Sequence, residues 1–353
     1  MPASCSATSA PRSSSSNRRG RPAAPRAALV ETGTGTDSAL FAWLNTNKRS
    51  VTRLDGIAEC DVLLDGRPPA DRAAASPPAT VTAGISWFGD SGPYRDYAAS
   101  DVTCRALAGI IAGTGPVEGP PSMLGGIAGA VVGGIAAFNA VAAALLPGAP
   151  RRLEVSIHEA NVAVAEYQAA QGITHPEVER RHGVNRFAPT CPLGVYPCRE
   201  GWLGVTIVTP AQSRGFCDMI GAPEVGQDPR FVIGFDRLRH VAELEALFVP
   251  RLRERTAGEW FDEALRRRLP FAVVPDMARL LATPTHRARD AFGTVRIGAA
   301  GIEGPTLPQR LTRTPPLAGG TAPASASMTA WRCPTAPPES PHASRRCRWP
   351  GCG

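Results

Sequence analysis

The sequence predicts an α/β fold: a parallel sheet covered by helices in a larger domain, followed by a smaller α+β domain. Three observations carry this. Two short strand patterns, Asp61-Val62-Leu63-Leu64 and residues 80–86, are separated by a segment of crossover length, the connection that a parallel pair needs. A third pattern, Leu153-Glu154-Val155-Ser156-Ile157, runs into a helical period over residues 159–172. Beyond Leu193 the pattern changes to a hairpin strand over residues 196–207. Helical stretches follow at residues 212–220, 240–252 and 260–269. The boundaries read from these shifts are a leader over 1–37, a large domain over 38–191 and a small domain over 192–284. A return segment over 285–316 and a tail over 317–353 complete the chain.

Ordered patterning begins near Ala39, where Leu40, Phe41, Trp43 and Leu44 lead into Asn45-Thr46-Asn47-Lys48-Arg49-Ser50. The Pro-rich and Ala-rich stretch 68–78 reads as a loop between the first two strands, and Trp87-Phe88-Gly89-Asp90-Ser91-Gly92-Pro93-Tyr94 as a turn-rich loop after the second. Ser100 is placed to cap a helix that runs through Asp101, Cys104 and Leu107 towards Ile111 and breaks at residues 114–121. Residues 123–146 contain no charged side chain, and Asn139 is the only strongly polar one. About 20 apolar residues suffice to cross a bilayer, and Gly125, Gly129 and Gly133 recur at a spacing that lets helices approach closely. Yet the segment is richer in Gly and Ala than in Leu, and soluble α/β patterning resumes after Arg152. The expectation is a buried central helix packed through its glycines, with no membrane span.

Composition narrows the function. The chain has 353 residues, is 43% hydrophobic and carries a net charge of +7. That charge sits at the ends. Five arginines against Glu31 and Asp37 give +3 over residues 1–37, and four arginines against Glu339 give +3 over 317–353, which leaves +1 between them. With no basic stripe in the folded part, nucleic-acid binding is not expected. Nine cysteines without a C-x-x-C pair in the folded part exclude a disulfide ladder and a zinc ribbon, and fit a reducing, cytoplasmic compartment. Cys333, His342, Cys347 and Cys352 assemble a metal site on paper only, since they fall in a Pro-rich, Arg-rich tail, and no metal is expected. The first thirty residues lack a secretory apolar stretch. Their Ser and Arg content resembles a transit peptide, but Pro2, Pro11, Pro22 and Pro25 oppose the amphipathic helix that one needs.

In order and spacing these segments resemble the class III CoA-transferases, the superfamily of formyl-CoA transferase, carnitine CoA-transferase and α-methylacyl-CoA racemase. The matching pieces are Asn45-Thr46-Asn47-Lys48-Arg49-Ser50-Val51, the loop from Trp87 to Tyr94, Asp101, Gly109, Thr114-Gly115, Gly119-Pro120-Pro121, Gly134 and Ala143-Ala144-Leu145. Val155-Ser156, Glu159-Ala160, Tyr196-Pro197-Cys198, Gly201-Trp202, Asp228-Pro229-Arg230-Phe231 and Arg237 extend them. The resemblance implies a Rossmann-like large domain with a smaller α+β domain, and an interlocked homodimer or a heteromer with an active paralogue. It implies coenzyme A as substrate, passed between an acyl-CoA and a carboxylic acid. It also implies that Lys48 and Arg49 meet the CoA phosphates and that Phe88 and Gly89 lie near the thioester arm.

Three departures qualify it. The family's opening strand, turn and helix are replaced by the Ser/Arg/Pro leader, so the N-terminal unit of the Rossmann-like domain is expected to be missing. The segment after Pro316 reads like out-of-frame translation of a GC-rich gene. The third is chemical. In the family a carboxylate on the Gly-rich segment attacks the thioester, and counting from Pro120-Pro121 to Gly134 puts that position at Ala130, whose methyl group has no nucleophilic oxygen. Asp101 and Glu118 are the nearest substitutes in the neighbouring motifs. Racemase chemistry needs a His and Asp pair, and Ser100 rather than His precedes Asp101. The reading is therefore an impaired or partner-dependent CoA-transferase, with a non-catalytic CoA-binding or regulatory subunit, or a degenerate gene product, as the alternative.

Overall fold

The computed structural model describes residues 7–8, 28–33, 36–50, 61–72, 80–146, 151–174, 181, 183–187, 190–312 and 319–322. Val51, His182, residues 73–78 and the tail positions Cys333, His342, Cys347 and Cys352 lie outside these. The chain divides into two compact units, one of Met1–Cys104, Ile127–Asn161 and Asp290–Gly353, the other of Arg105–Gly126 and Val162–Arg289.

The first unit opens with β1 (Ala7–Thr8), β2 (Leu29–Glu31), β3 (Thr36–Ser38), α1 (Ala39–Leu44) and β4 (Arg49–Ser50). β2 and β3 form an antiparallel hairpin that spans the sequence boundary drawn at Asp37. Ser38 then starts α1 by accepting the Phe41 amide on its side chain. The sheet follows as β5 (Val62–Asp65), β6 (Val81–Ser86) and β7 (Arg151–Ser156), in the order β5-β6-β7 and parallel throughout. Val81 pairs with Val62 on one side and Arg151 on the other. Val81, Thr82, Ala83 and Gly84 are all buried, so the middle strand is covered on both faces, as a parallel sheet requires. The expected loop at 68–78 contains a short helix instead, α2 (Pro69–Arg72), which the fixed φ of Pro69 favours as an opening residue.

Helices α3 (Asp101–Leu107), α4 (Ala128–Leu145) and α5 (Ile157–Val164) follow, with α4 wholly in the first unit and α3 and α5 crossing from it into the second at Cys104 and Asn161. α3 stops four residues short of the expected Ile111, at a turn whose Gly109 takes φ +80°. α4 packs on β6 and β7. It does so on one side only: Gly129, Gly133, Ala137 and Ala144 are buried, whereas Val131, Ile135 and Phe138 are 50, 57 and 70% exposed. The expected packing through the glycines is present on that side, where small residues face the sheet, but the helix is not buried on its other side, where the larger apolar residues face outward. By length and composition alone α4 is apolar enough to cross a membrane.

The second unit holds α6 (Glu166–Thr174), β8 (Leu193–Pro197), β9 (Trp202–Thr206) and seven further helices, α7 (Pro210–Met219), α8 (Pro223–Gln227), α9 (Gly234–Arg239), α10 (Val241–Leu252), α11 (Ala257–Arg266), α12 (Met277–Ala282) and α13 (Pro284–Ala288), with β10 (Phe271–Val273) between α11 and α12. The expected helix over 159–172 is thus two, α5 and α6, separated at Ala165 after the β-branched Val162 and Val164, which resist helical χ1 geometry. The strands form an antiparallel sheet in the order β10-β9-β8. Its core joins Tyr196, Leu203, Phe216, Phe248, Trp260 and Phe271. Capping boxes at Thr209 with Gln212 and at Thr256 with Glu259 define where α7 and α11 begin. Buried Arg237 donates to the carbonyls of Cys191, Phe231 and Val232, tying the Asp228-Pro229-Arg230-Phe231 segment to the end of the sheet.

The chain then returns to the first unit as a hairpin, β11 (Phe292–Ile297) and β12 (Ala300–Pro305), with β13 (Gly320–Thr321) parallel to β11. Val295, Ile297 and Ala322 pack with Ala42 of α1 and Val30 of β2. Trp43 Nε1 donates to Pro305 O at 2.9 Å.

Candidate active site

The N-terminal turn of α4 is the centre of the candidate site, and two residues far apart in sequence hold it. Ile127 precedes the helix and has no side-chain acceptor for the first-turn amides. Asp101, the first residue of α3, fills that role: its Oδ1 accepts the Ala130 amide at 2.8 Å. A carboxylate there also meets the positive end of the α4 dipole. On the other side the fully buried Asn161 donates from Nδ2 to Gly129 O at 3.1 Å and to Ile157 O at 2.8 Å, fastening α4 to α5. Gly133, one turn on, lies so close to α5 that a Cβ there would come within 2.8 Å of Ile157 Cγ1. Ala130, half-buried, thus sits on a helix turn pinned from both sides.

The Trp87 to Tyr94 loop reaches the same region through α5. His158 donates its amide to Trp87 O at 2.9 Å, and its ring lies 5.5 Å from that of buried Phe88. Phe88 is 5.5 Å from Tyr94, which is 4.9 Å from Tyr97, so an aromatic row runs from His158 outward. Gly89 takes φ +88°, and a Cβ there would strike Glu154 Oε1, the atom that accepts the Asp90 amide at 2.5 Å. Both facts require glycine. Asp90 in turn accepts from the buried Arg72 at 2.8 Å and pairs with Arg152 at 3.6 Å. The loop is therefore fixed by charges on β7 and α2.

The other expected residues fall elsewhere. Lys48 is partly buried, its Nζ donates to Asn45 Oδ1 at 3.2 Å, and burial lowers its pKa. Arg49 contributes backbone to β4, where it pairs with Ala7 of β1. Glu118 is exposed and belongs to the second unit, unlike Ala130. Cys104, three residues after Asp101, is buried. Desolvation, with the Asp101 charge adding to it, pushes its thiol up and away from the reactive thiolate. Among the described residues no group of three His, Cys, Asp or Glu side chains is placed to hold a metal. Asn161 and Glu154 escaped the sequence reading, since nothing in a pattern of residue types marks a buried amide or a carboxylate that orders a distant loop.

The profile of CoA-transferase family III matches residues 57–327. The chain belongs to this family. Among curated proteins it is 26% identical over 303 residues to the acetyl-CoA:oxalate CoA-transferase of Acetobacter aceti, covering 79% of this chain and 77% of that one. It is 27% identical over 290 residues to an acyl-CoA transferase of Fusarium pseudograminearum, covering 75% of this chain but 63% of the relative. It spans 59% of the succinate–glutarate CoA-transferase of Agrobacterium fabrum, at 22% identity over 242 residues covering 67% of this chain. In fold it is similar to a CAIB/BAIF family protein of Brucella suis, with a TM-score of 0.72 and 19% identity over 84% of each chain. The α/β reading therefore holds.

Proposed function

We propose that this chain binds an acyl-CoA and a carboxylic acid and passes CoA between them at a strongly reduced rate. The observation that carries this is the N-terminal turn of α4, held by Asp101 and Asn161, with Ala130 where the family resemblance places the attacking aspartate. Covalent catalysis divides one difficult exchange into easier steps, and a methyl group cannot begin it. Loss of a catalytic nucleophile lowers turnover by roughly 10³ to 10⁶-fold. The binding parts remain: Lys48 and Arg49 for CoA phosphates, and Phe88 with Gly89 on a loop ordered by Glu154 for the thioester arm.

The same proposal takes the working form to be cytoplasmic, without metal, and either a homodimer or a heteromer with an active paralogue. The exposed Val131, Ile135 and Phe138 of α4 favour a second polypeptide there, since a contiguous apolar face is costly to leave in water. A non-catalytic CoA-binding or regulatory subunit is the second reading, and Ala130 favours it. Calorimetry with CoA and acetyl-CoA, coupled to a transfer assay with oxalate, separates the two. Binding with slow transfer supports the first reading and binding without transfer the second. No binding refutes both.

A further inference from the structure

We infer that the core of the second unit holds a site for one small monovalent anion of halide size, built by Arg237 and Ser213. A cavity lies inside that core among α7, α9 and α10. Phe216, Ile220, Leu244 and Phe248 wall it, and Ser213, Cys217 and Arg237 form its polar side. It has room for a body about the size of a water molecule. All of these residues belong to one unit, and the site stands whether or not CoA transfer occurs at α4.

Charge decides what enters. Arg237 is 2% exposed, and its donors meet only carbonyls: Nε that of Cys191, and Nη1 those of Phe231 and Val232. Nη2 has Ile207 O at 3.5 Å, the limit of a hydrogen bond, so this arm of the guanidinium is the least satisfied. Among the described residues Arg237 forms no ion pair. Asp228, Asp236 and Glu245 are engaged elsewhere, by Arg230 at 2.8 Å, Arg239 at 3.3 Å and Arg186 at 2.6 Å. The thiols of Cys191 and Cys217, whose charges would reach Arg237, are pushed up to about 11, chiefly by burial, and are neutral at neutral pH. Carbonyl dipoles reduce the cost of burying a guanidinium but supply no counter-charge.

Ser213 is the second, independent feature. It is 6% exposed, it lines the cavity from α7, and its hydroxyl has no hydrogen-bond partner among the described residues. A buried hydroxyl without a partner is uncommon in folded proteins. A water in the cavity would satisfy that hydroxyl and leave the charge of Arg237 unbalanced. A halide-sized anion accepts from both the hydroxyl and Nη2 and neutralises the cation as well.

The test is thermal unfolding of the full chain with sodium chloride replacing sodium gluconate, whose anion is too large for the cavity, at constant ionic strength and neutral pH. Chloride should raise Tm in a saturating way. Ser213→Ala should leave Tm in gluconate nearly unchanged and raise the chloride concentration that gives half of the gain about tenfold, since one hydrogen bond to an ion is lost. Crystals soaked in sodium bromide should show an anomalous peak between Arg237 Nη2 and Ser213 Oγ. Equal Tm in the two salts overturns the inference. A chloride gain unchanged by Ser213→Ala, or the lack of a bromide peak in this cavity, overturns it too.

Discussion

Substituting Ala130→Asp is the most direct perturbation, and the structure sets two opposing magnitudes for it. Asp101 Oδ1 is 2.8 Å from the Ala130 amide. With about 5 Å taken between the new carboxylate and that of Asp101, and an effective dielectric of about 20, the two repel by about 3 kcal/mol. The helix dipole returns about 0.5 kcal/mol to an acid in the first turn. The net cost is roughly 2–3 kcal/mol, or a Tm lower by roughly 3–4 °C for a chain of this length. Like-charge repulsion raises the folded-state pKa of one carboxylate of the pair above its unfolded value. The penalty is then present at neutral pH and disappears as pH falls towards about 4, where one member takes up a proton. Against this cost, an oxygen nucleophile at position 130 should raise transfer by at least about 100-fold, equivalent to about 2.7 kcal/mol of barrier. Acetyl-CoA and oxalate incubated with each protein, with CoA esters separated by chromatography, give the rate; thermal scans from pH 4 to 7 give the stability. A folded variant that binds acetyl-CoA yet transfers no faster refutes the placement of the nucleophile at 130. Equal Tm differences across that pH range refute the proximity of Asp101.

Gly133→Ala gains about 1 kcal/mol of helix propensity but meets Ile157 at 2.8 Å, a clash that costs about 1–3 kcal/mol, so denaturant titration should show a net loss. Asp65 is held below the usual carboxylate range chiefly by the Arg67 hydrogen bond. Its contribution is fully present above the unfolded value near about 4 and is lost as pH drops through the folded one. Asp65→Asn should therefore lower Tm at neutral pH, with the difference shrinking below about pH 4. Phe138→Glu charges the exposed face of α4, and if a second copy covers it, sedimentation should show dissociation. An unchanged mass with an unchanged fold would remove that face from the interface.

The sequence by itself determined the three parallel strands and the main helices of the second unit, but not α2, the break at Ala165 or the β2–β3 hairpin. Val62–Asp65 and Val81–Ser86 are rich in apolar and β-branched residues, Arg151–Ser156 places Leu153 and Val155 at alternate positions, and the hairpin and the main helices of the second unit follow their own apolar patterning to within a few residues. It also determined that position 130 carries no oxygen, because counting between fixed motifs needs no coordinates. Tertiary structure alone decided what surrounds that position. Asp101 is 29 residues from Ala130, Asn161 is 32 from Gly129, and Glu154 is 64 from Asp90. Tertiary structure also decided that α4 is covered on its glycine side and open on the side of Phe138. Periodicity records a residue's neighbours along its own helix or strand, whereas hydrogen bonds between distant segments and the covering of a helix face arise only when the chain closes on itself.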